Sequence, residues 1–414
     1  MQRNLIKNNI KSFLLGIVFF YNFKLVGSVN FGEIISLIYL LINFKKIEIP
    51  TELKMILKVS IFYTIIIIIS DINNSNQVEN SLKGAFTPIL ILITIIFLIN
   101  FFNKRFDQFI IFFIGGVLSL IIKASFFSNL LYDPENIWKW GFGVNLLFII
   151  YLIEIIKKKK FSLKLILLIN ITLILFSLYF VSRAIALIIF ISTLFYIISR
   201  SNKMILNIFN SKLTFFFLPV VIFLIILALS KTTIITSKFV LFDKLNKKNE
   251  LQQSEMSNLI FSARPEFFVY LNAIKDKPFL GHGSYPTDKN FYYRNLLNLK
   301  LYNYFITDDP KMLTYYDKED QEIPTHSYLF ESLINHGLLS LIYWLVLSYL
   351  ITVTYIKYSK NMEFFYHLKV IVFFYSLFFS PLSYGERLNI ELLIALLIIY
   401  LNKNNNIQNV RYNS

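Results

Sequence analysis

Apolar runs long enough to cross a bilayer follow one another along most of the chain, separated by short polar breaks. None of them alternates apolar with polar at a period of two, so they read as helices rather than as barrel strands. At roughly 17–25 residues per span, about 12 spans can be placed. They fall near residues 12–27, 29–44, 53–70, 84–100, 108–127, 138–156, 163–180, 184–198, 213–230, 326–356, 364–383 and 388–401. One long polar excursion, 231–325, separates the ninth span from the tenth, and a polar tail, 402–414, reads as disordered. The expected fold is therefore an all-α polytopic membrane protein. Nine spans occupy residues 1–230, one large loop 231–325, and three further spans 326–401.

Charge orients this series. The even-numbered connections are basic: Lys45-Lys46, Lys104-Arg105, Lys157 to Lys160, Arg200 with Lys203, and Lys357 with Lys360. The odd-numbered ones are poor in Lys and Arg, as in 71–83 and in 128–137 with Asp133 and Glu135. Positive charge collects in the cytoplasm, so both termini are expected inside and the large loop outside. The net charge of +16 is then explained by cytoplasmic loops and anionic headgroups, and nucleic acid is not an expected partner. The start of the chain is basic, with Arg3 and Lys7 ahead of an apolar run. No small-residue cleavage site follows, so a retained first helix is expected. Cysteine is absent, which excludes disulfides, thiolate nucleophiles and thiolate-bound metals.

Most of the aspartates and three of the four histidines lie in the stretch from Arg264 to Leu339. Within it, 262–276 is expected to be helical. Ser262 is a cap, Pro265 suits the first turn, and Phe267, Phe268, Leu271 and Ile274 share a face for the membrane surface or the spans. Arg264 at that helix start would add a bidentate fork to an anion-attracting N-terminus, or would be an ordinary solvated charge. Arg183, between two spans on the outer side, reads either as an arginine snorkelling to headgroups or as a fixed guanidinium for a phosphate. His326 opens the tenth span. It is placed to act as a base near neutral pH, the alternative being a structural histidine.

His282 sits on a glycine turn, His336 lies within the tenth span and is expected to pack or bond within the bundle, and His367 is on the cytoplasmic side. Glu386 and Arg387 lie in a short outer connection, paired with each other or turned to a ligand. No metal or cofactor is expected. The histidines are scattered, and Asp308-Asp309 and the acidic run 317–322 read as solvated faces.

Four motifs, in order, resemble those of the bacterial O-antigen ligase and O-antigen polymerase superfamily. They are Ser182-Arg183-Ala184 between two spans, Arg264 followed by Phe267 and Phe268, Pro278-Phe279-Leu280-Gly281-His282-Gly283, and His326-Ser327-Tyr328-Leu329 leading to Gly337-Leu338-Leu339. The match is best over 264–355, and the span layout extends it to nearly the whole chain. Ser327 stands where the family usually has Asn, and Phe follows Arg264 where Trp is common.

The resemblance implies a metal-independent, inverting glycosyltransferase of the bacterial inner membrane. Its donor would be an undecaprenyl-diphosphate-linked oligosaccharide, and its acceptor a glycan or lipid. Arg183 and Arg264 would hold the diphosphate and His326 would activate the acceptor hydroxyl. His282, Tyr328 and Arg387 complete the expected substrate-binding set, and a chain-length regulator is a conceivable partner. Within the family the reading favours the repeat-unit polymerase over the ligase. A flippase or transporter is the reading from a different class, and it would require ionisable groups deep within the spans.

Overall fold

The computed structural model describes residues 2–21, 29–103, 105–126, 138, 143–157, 160–180, 182–200, 266–288, 292–296, 322–323, 325, 327–380 and 384–412. The named helices are α1 (Gln2–Phe20), α2 (Phe31–Asn43), α3 (Thr51–Asn73), α4 (Val78–Phe101), α5 (Phe106–Phe126), α6 (Gly143–Ile156), α7 (Leu163–Tyr179) and α8 (Arg183–Arg200). After a gap come α9 (Glu266–Asp276), α10 (Tyr328–His336), α11 (Leu341–Tyr358), α12 (Phe364–Phe379) and α13 (Tyr384–Tyr412). Among the described residues there is no strand, only an isolated antiparallel bridge between Thr287 and Glu322. Among the described residues, five helical segments are long and apolar enough to cross a membrane: Leu53–Asn73, Val78–Phe101, Phe106–Lys123, Arg183–Arg200 and Leu338–Asn361. The expected ninth span, 213–230, lies outside the described residues.

Helix α7 shows what solvent these helices are built for. Its outward face carries Leu168, Ile171 and Leu175, each more than half exposed. Its buried face carries Ile166, Asn170, Leu173 and Ser177. Asn170 accepts from the Tyr151 hydroxyl at 2.5 Å and donates to Thr193 Oγ1 at 2.8 Å. Apolar side chains outside and hydrogen-bonded polar ones between helices is the arrangement lipid selects. Close backbone approach adds to it where α1 crosses α5. A Cβ at Gly16 would stand 2.0 Å from the Phe112 carbonyl oxygen, and one at Gly115 2.2 Å from that of Phe13.

The bundle has one end on which the loop segments dock. Helices α8 and α12 pack along each other in opposite directions. Tyr196, near the end of α8, meets Phe364 and His367 at the start of α12. Arg183 and Leu377 therefore lie about 20 Å from that meeting point along each helix, at the opposite end. There Ser327, just before α10, donates its hydroxyl to Leu377 O at 2.9 Å. The end of α3 and the starts of α2, α4 and α13 reach the same end through contacts described below.

Three expectations are corrected. The run 326–356 is not one span, because the helix stops at His336, turns at Gly337 (φ +69°, ψ −169°) and resumes through the 3-10 turn Leu338–Ser340 into α11. The break exists because loop backbone occupies it: Leu338 N–H donates to Pro278 O at 2.7 Å. Residues 384–387, read as a connection, are the first turn of α13. The tail read as disordered continues α13 to Tyr412, since 402–412 contains neither Gly nor Pro to stop a helix.

Candidate functional site

The last turn of α3 and the residues just after it form a polar stretch, Ser70-Asp71-Ile72-Asn73-Asn74-Ser75-Asn76. Its side chains bind the backbone of the loop turn 280–284. Ser70 Oγ donates to Leu280 O at 2.5 Å, and Asn74 Nδ2 to Gly281 O at 3.1 Å. Asn76 Nδ2 donates to Ser284 O and to Asp71 Oδ1, both at 2.8 Å. Asp71 accepts the Ser284 N–H at 2.5 Å through Oδ1 and the Ser284 hydroxyl at 2.9 Å through Oδ2. The same turn is bonded to α10: His282 N–H donates to Ile334 O at 2.8 Å, and Gly283 N–H to Asn335 O at 2.7 Å. Gly84 of α4 sits against this turn, where a Cβ would fall 2.0 Å from Ser284 Oγ.

Behind the turn a buried chain of hydrogen bonds runs into the bundle. Ser284 Oγ lies 3.2 Å from His336 Nε2, His336 Nδ1 3.1 Å from the Tyr63 hydroxyl, and that hydroxyl 3.1 Å from Ser332 Oγ. Ser332 Oγ in turn accepts from Trp344 Nε1 at 2.7 Å. Ser284 donates its hydroxyl to Asp71 Oδ2, which leaves its Oγ to accept from His336, so the neutral imidazole carries its proton on Nε2. Burial pushes the His336 pKa down to about 3, which keeps the imidazole neutral.

This arrangement yields a testable consequence. In Asp71→Asn the amide would donate to Ser284 Oγ, the Ser284 hydroxyl would turn to His336 Nε2, and the His336 proton would move to Nδ1. The expected readout is a tautomer change in the ¹⁵N spectrum of His336, with a stability loss of about 1–2 kcal/mol for the lost charge-assisted bonds. An unchanged tautomer would contradict the assigned direction.

Helix α9 packs on α10. The Phe267 and Phe330 ring centroids are 5.0 Å apart, as are those of Tyr270 and Phe330, and Ala273 and Ile334 close the cluster. The buried residues are Phe267, Val269, Tyr270 and Ala273, with Ile274 beside them, and Leu271, expected to share their face, is exposed. The buried face is rotated from expectation because α10 presents Phe330 and Ile334 as the partner, so it serves α10 rather than a membrane surface. The Phe268 side chain lies outside the described residues.

The expected site residues divide as follows. Arg264 and His326 lie outside the described residues. Those just after them are described, and they meet: Phe267 follows Arg264, and Phe330 follows His326 and Ser327. Ser327 caps α10, accepting the Phe330 N–H at 3.2 Å. Capping is a task that Ser and Asn share. Arg183 is the first residue of α8 and is half-buried, at the same end of the bundle. Tyr328 is fully buried, with its ring 5.7 Å from Trp344.

His282 is half-buried, its Nε2 2.9 Å from Ala273 O and its ring edge-on to Tyr293. Desolvation holds its pKa below the ordinary histidine value. Arg387 is buried in α13 and paired with Glu33 of α2 at 3.1 Å, a partner the sequence reading did not name. Among the described residues no cluster of metal-ligand side chains forms.

Sequence reasoning missed Asp71, Ser284, Glu33 and Glu391, whereas His336 bonds within the bundle as expected. The dense Ser, Asp and Asn content of 70–76 was the available signal for Asp71. Compared with known proteins, the chain matches no family model, no curated protein and no solved structure.

Proposed function

We propose that the protein is a membrane glycosyltransferase that moves an undecaprenyl-diphosphate-linked oligosaccharide en bloc onto an acceptor glycan, as a surface-polysaccharide repeat-unit polymerase. In this reading the chain has about 12 spans, lies in a bacterial inner membrane with both termini cytoplasmic, and works on the periplasmic face. The supporting observation is the docking of the Pro278–Ser284 turn onto Asn335–Leu338 and the end of α3. Two of the four motifs that carry the family resemblance are thereby in direct contact. The helices that follow Arg264 and His326 pack on each other at the bundle end where Arg183 starts α8.

The chemistry fits these groups. A diphosphate leaving group needs charge stabilisation, which Arg183 and Arg264 supply without a metal. The acceptor hydroxyl is a weak nucleophile that gains from a base, the role given to His326. Direct displacement at the anomeric carbon inverts it.

Two neighbouring readings stay in view. A ligase would use the same groups to attach the glycan to lipid A-core. A transporter is favoured by the charged side chains buried within the bundle, Glu33, Arg387, Glu391 and Lys369, because such groups mark ion pathways. Surface glycan from a deletion strain, run on a gel, separates the three. The polymerase reading expects a single repeat unit on the core. Core alone with long chains on the carrier lipid makes it a ligase, and absence of any repeat at the outer face makes it a transporter.

A further inference from the structure

Glu33, Arg387 and Glu391 are each about 1–2% exposed. Glu33 already answers the charge of Arg387. Its Oε1 lies 3.1 Å from Arg387 Nη2, and its Oε2 accepts the Asn30 N–H at 3.0 Å. Glu391 follows Arg387 by one turn on the same face of α13. Among the described residues its buried Oε2 has no hydrogen-bond partner, and the charges acting on it are those of Glu33 and Arg387.

Among the described residues, the other helices packed here add no second cation to this group. Helix α4 brings the Thr87 hydroxyl, 3.5 Å from Arg387 Nη1, and α11 brings the buried phenol of Tyr343. Lys369 of α12 is engaged elsewhere on α13. It donates to Asn389 Oδ1 at 2.8 Å, with its ammonium over the rings of Phe113 and Phe148.

Two carboxylates facing one guanidinium would leave an uncompensated negative charge in a low-dielectric interior, the costliest state such a cluster can adopt. One proton removes it. We propose that Glu33 and Glu391 form a proton-binding site inside the bundle, holding one proton between them against the single charge of Arg387. Glu391 carries that proton when Glu33 is paired with Arg387, and it is also the reserve counter-ion. If Glu33 becomes neutral, Glu391 can give up its proton and pair with Arg387, one helical turn away. The proton thus moves between two carboxylates at constant net charge, independently of what the loop side of the protein transfers.

The test is infrared spectroscopy of the full chain in lipid vesicles at neutral pH, in H₂O and in D₂O. The expected wild-type spectrum contains a protonated-carboxyl C=O stretch that shifts in D₂O. Both Glu391→Gln and Glu33→Gln should lose one carboxyl's worth of that band, because the carboxylate left behind ionises beside Arg387. Glu154, another buried carboxyl, stays in both variants and cancels in the difference spectrum. A band kept at full intensity in either folded variant overturns the proposal, and either variant alone suffices if the other fails to fold. The double variant removes both carboxylates from beside Arg387, so it should lose folded yield where the single ones keep it. A double variant as well folded as wild type would also overturn the shared-proton account.

Discussion

Replacing Gly337 with alanine is expected to undock the loop from the bundle. The residue has φ +69° and ψ −169°, a region that is essentially glycine's alone and costs an L-residue about 1–3 kcal/mol. Conformation is the smaller part of the effect. A Cβ at this position would lie 2.1 Å from the Phe279 carbonyl oxygen and 2.2 Å from its carbon, both backbone atoms. The turn must then move away, and three bonds that hold it go with it: Leu338 N–H to Pro278 O, His282 N–H to Ile334 O and Gly283 N–H to Asn335 O. Each leaves buried or half-buried backbone groups unmet, at roughly 1 kcal/mol or more apiece. The combined loss should exceed about 4 kcal/mol. It would be read as a lower unfolding midpoint together with protease cleavage in 279–284 that wild type resists. A variant as stable as wild type would mean that the turn is not fastened as described.

The largest effect on activity is expected at His326 and Arg264. Removing a general base commonly costs 10²–10⁴-fold, and removing a guanidinium that holds a diphosphate takes away stabilisation realised as negative charge builds on the leaving group. His326→Ala and Arg264→Ala should each stop glycan extension in cells while protein levels stay at wild type. Normal levels are expected because the fastening of this region rests on other residues: Ser327 on Leu377, Phe267 and Tyr270 on Phe330, and Asp71 on Ser284. A His326→Ala strain with wild-type chain lengths would remove the base assignment.

The helices were legible from the sequence because lipid allows an apolar run few alternatives. Which face of each helix turns inward was not. In α7 the apolar stripe of Leu168, Ile171 and Leu175 faces out and Asn170 faces in, the reverse of a helix in water. The break at Gly337 had a readable sign. A single helix over 326–356 would be about 46 Å long, well beyond a hydrocarbon core of about 30 Å, and Asn335-His336-Gly337 is the polar triplet inside it.

The Asp71 network had no such sign as a whole. Its members come from α3, the loop, α10 and α11, and only folding sets Tyr63 beside His336 and Ser332 beside Trp344. The ion pair of Arg387 was hidden for the same reason. Glu386 is its neighbour in sequence, but the helical start of α13 brings Arg387 to Glu33, near the other end of the chain. The glycine turn 281–283 was visible as a motif. What holds it, the polar stretch at the end of α3, was visible only as composition.

The glycan-transfer reading is tested most directly with the purified full chain in proteoliposomes. The vesicles would carry a lipid-diphosphate-linked oligosaccharide as donor and a second such molecule as acceptor, with a chelator present. The account predicts longer lipid-linked chains from wild type and none from His326→Ala. Equal extension by His326→Ala, or passage of the lipid-linked glycan across the bilayer without any lengthening, would contradict it.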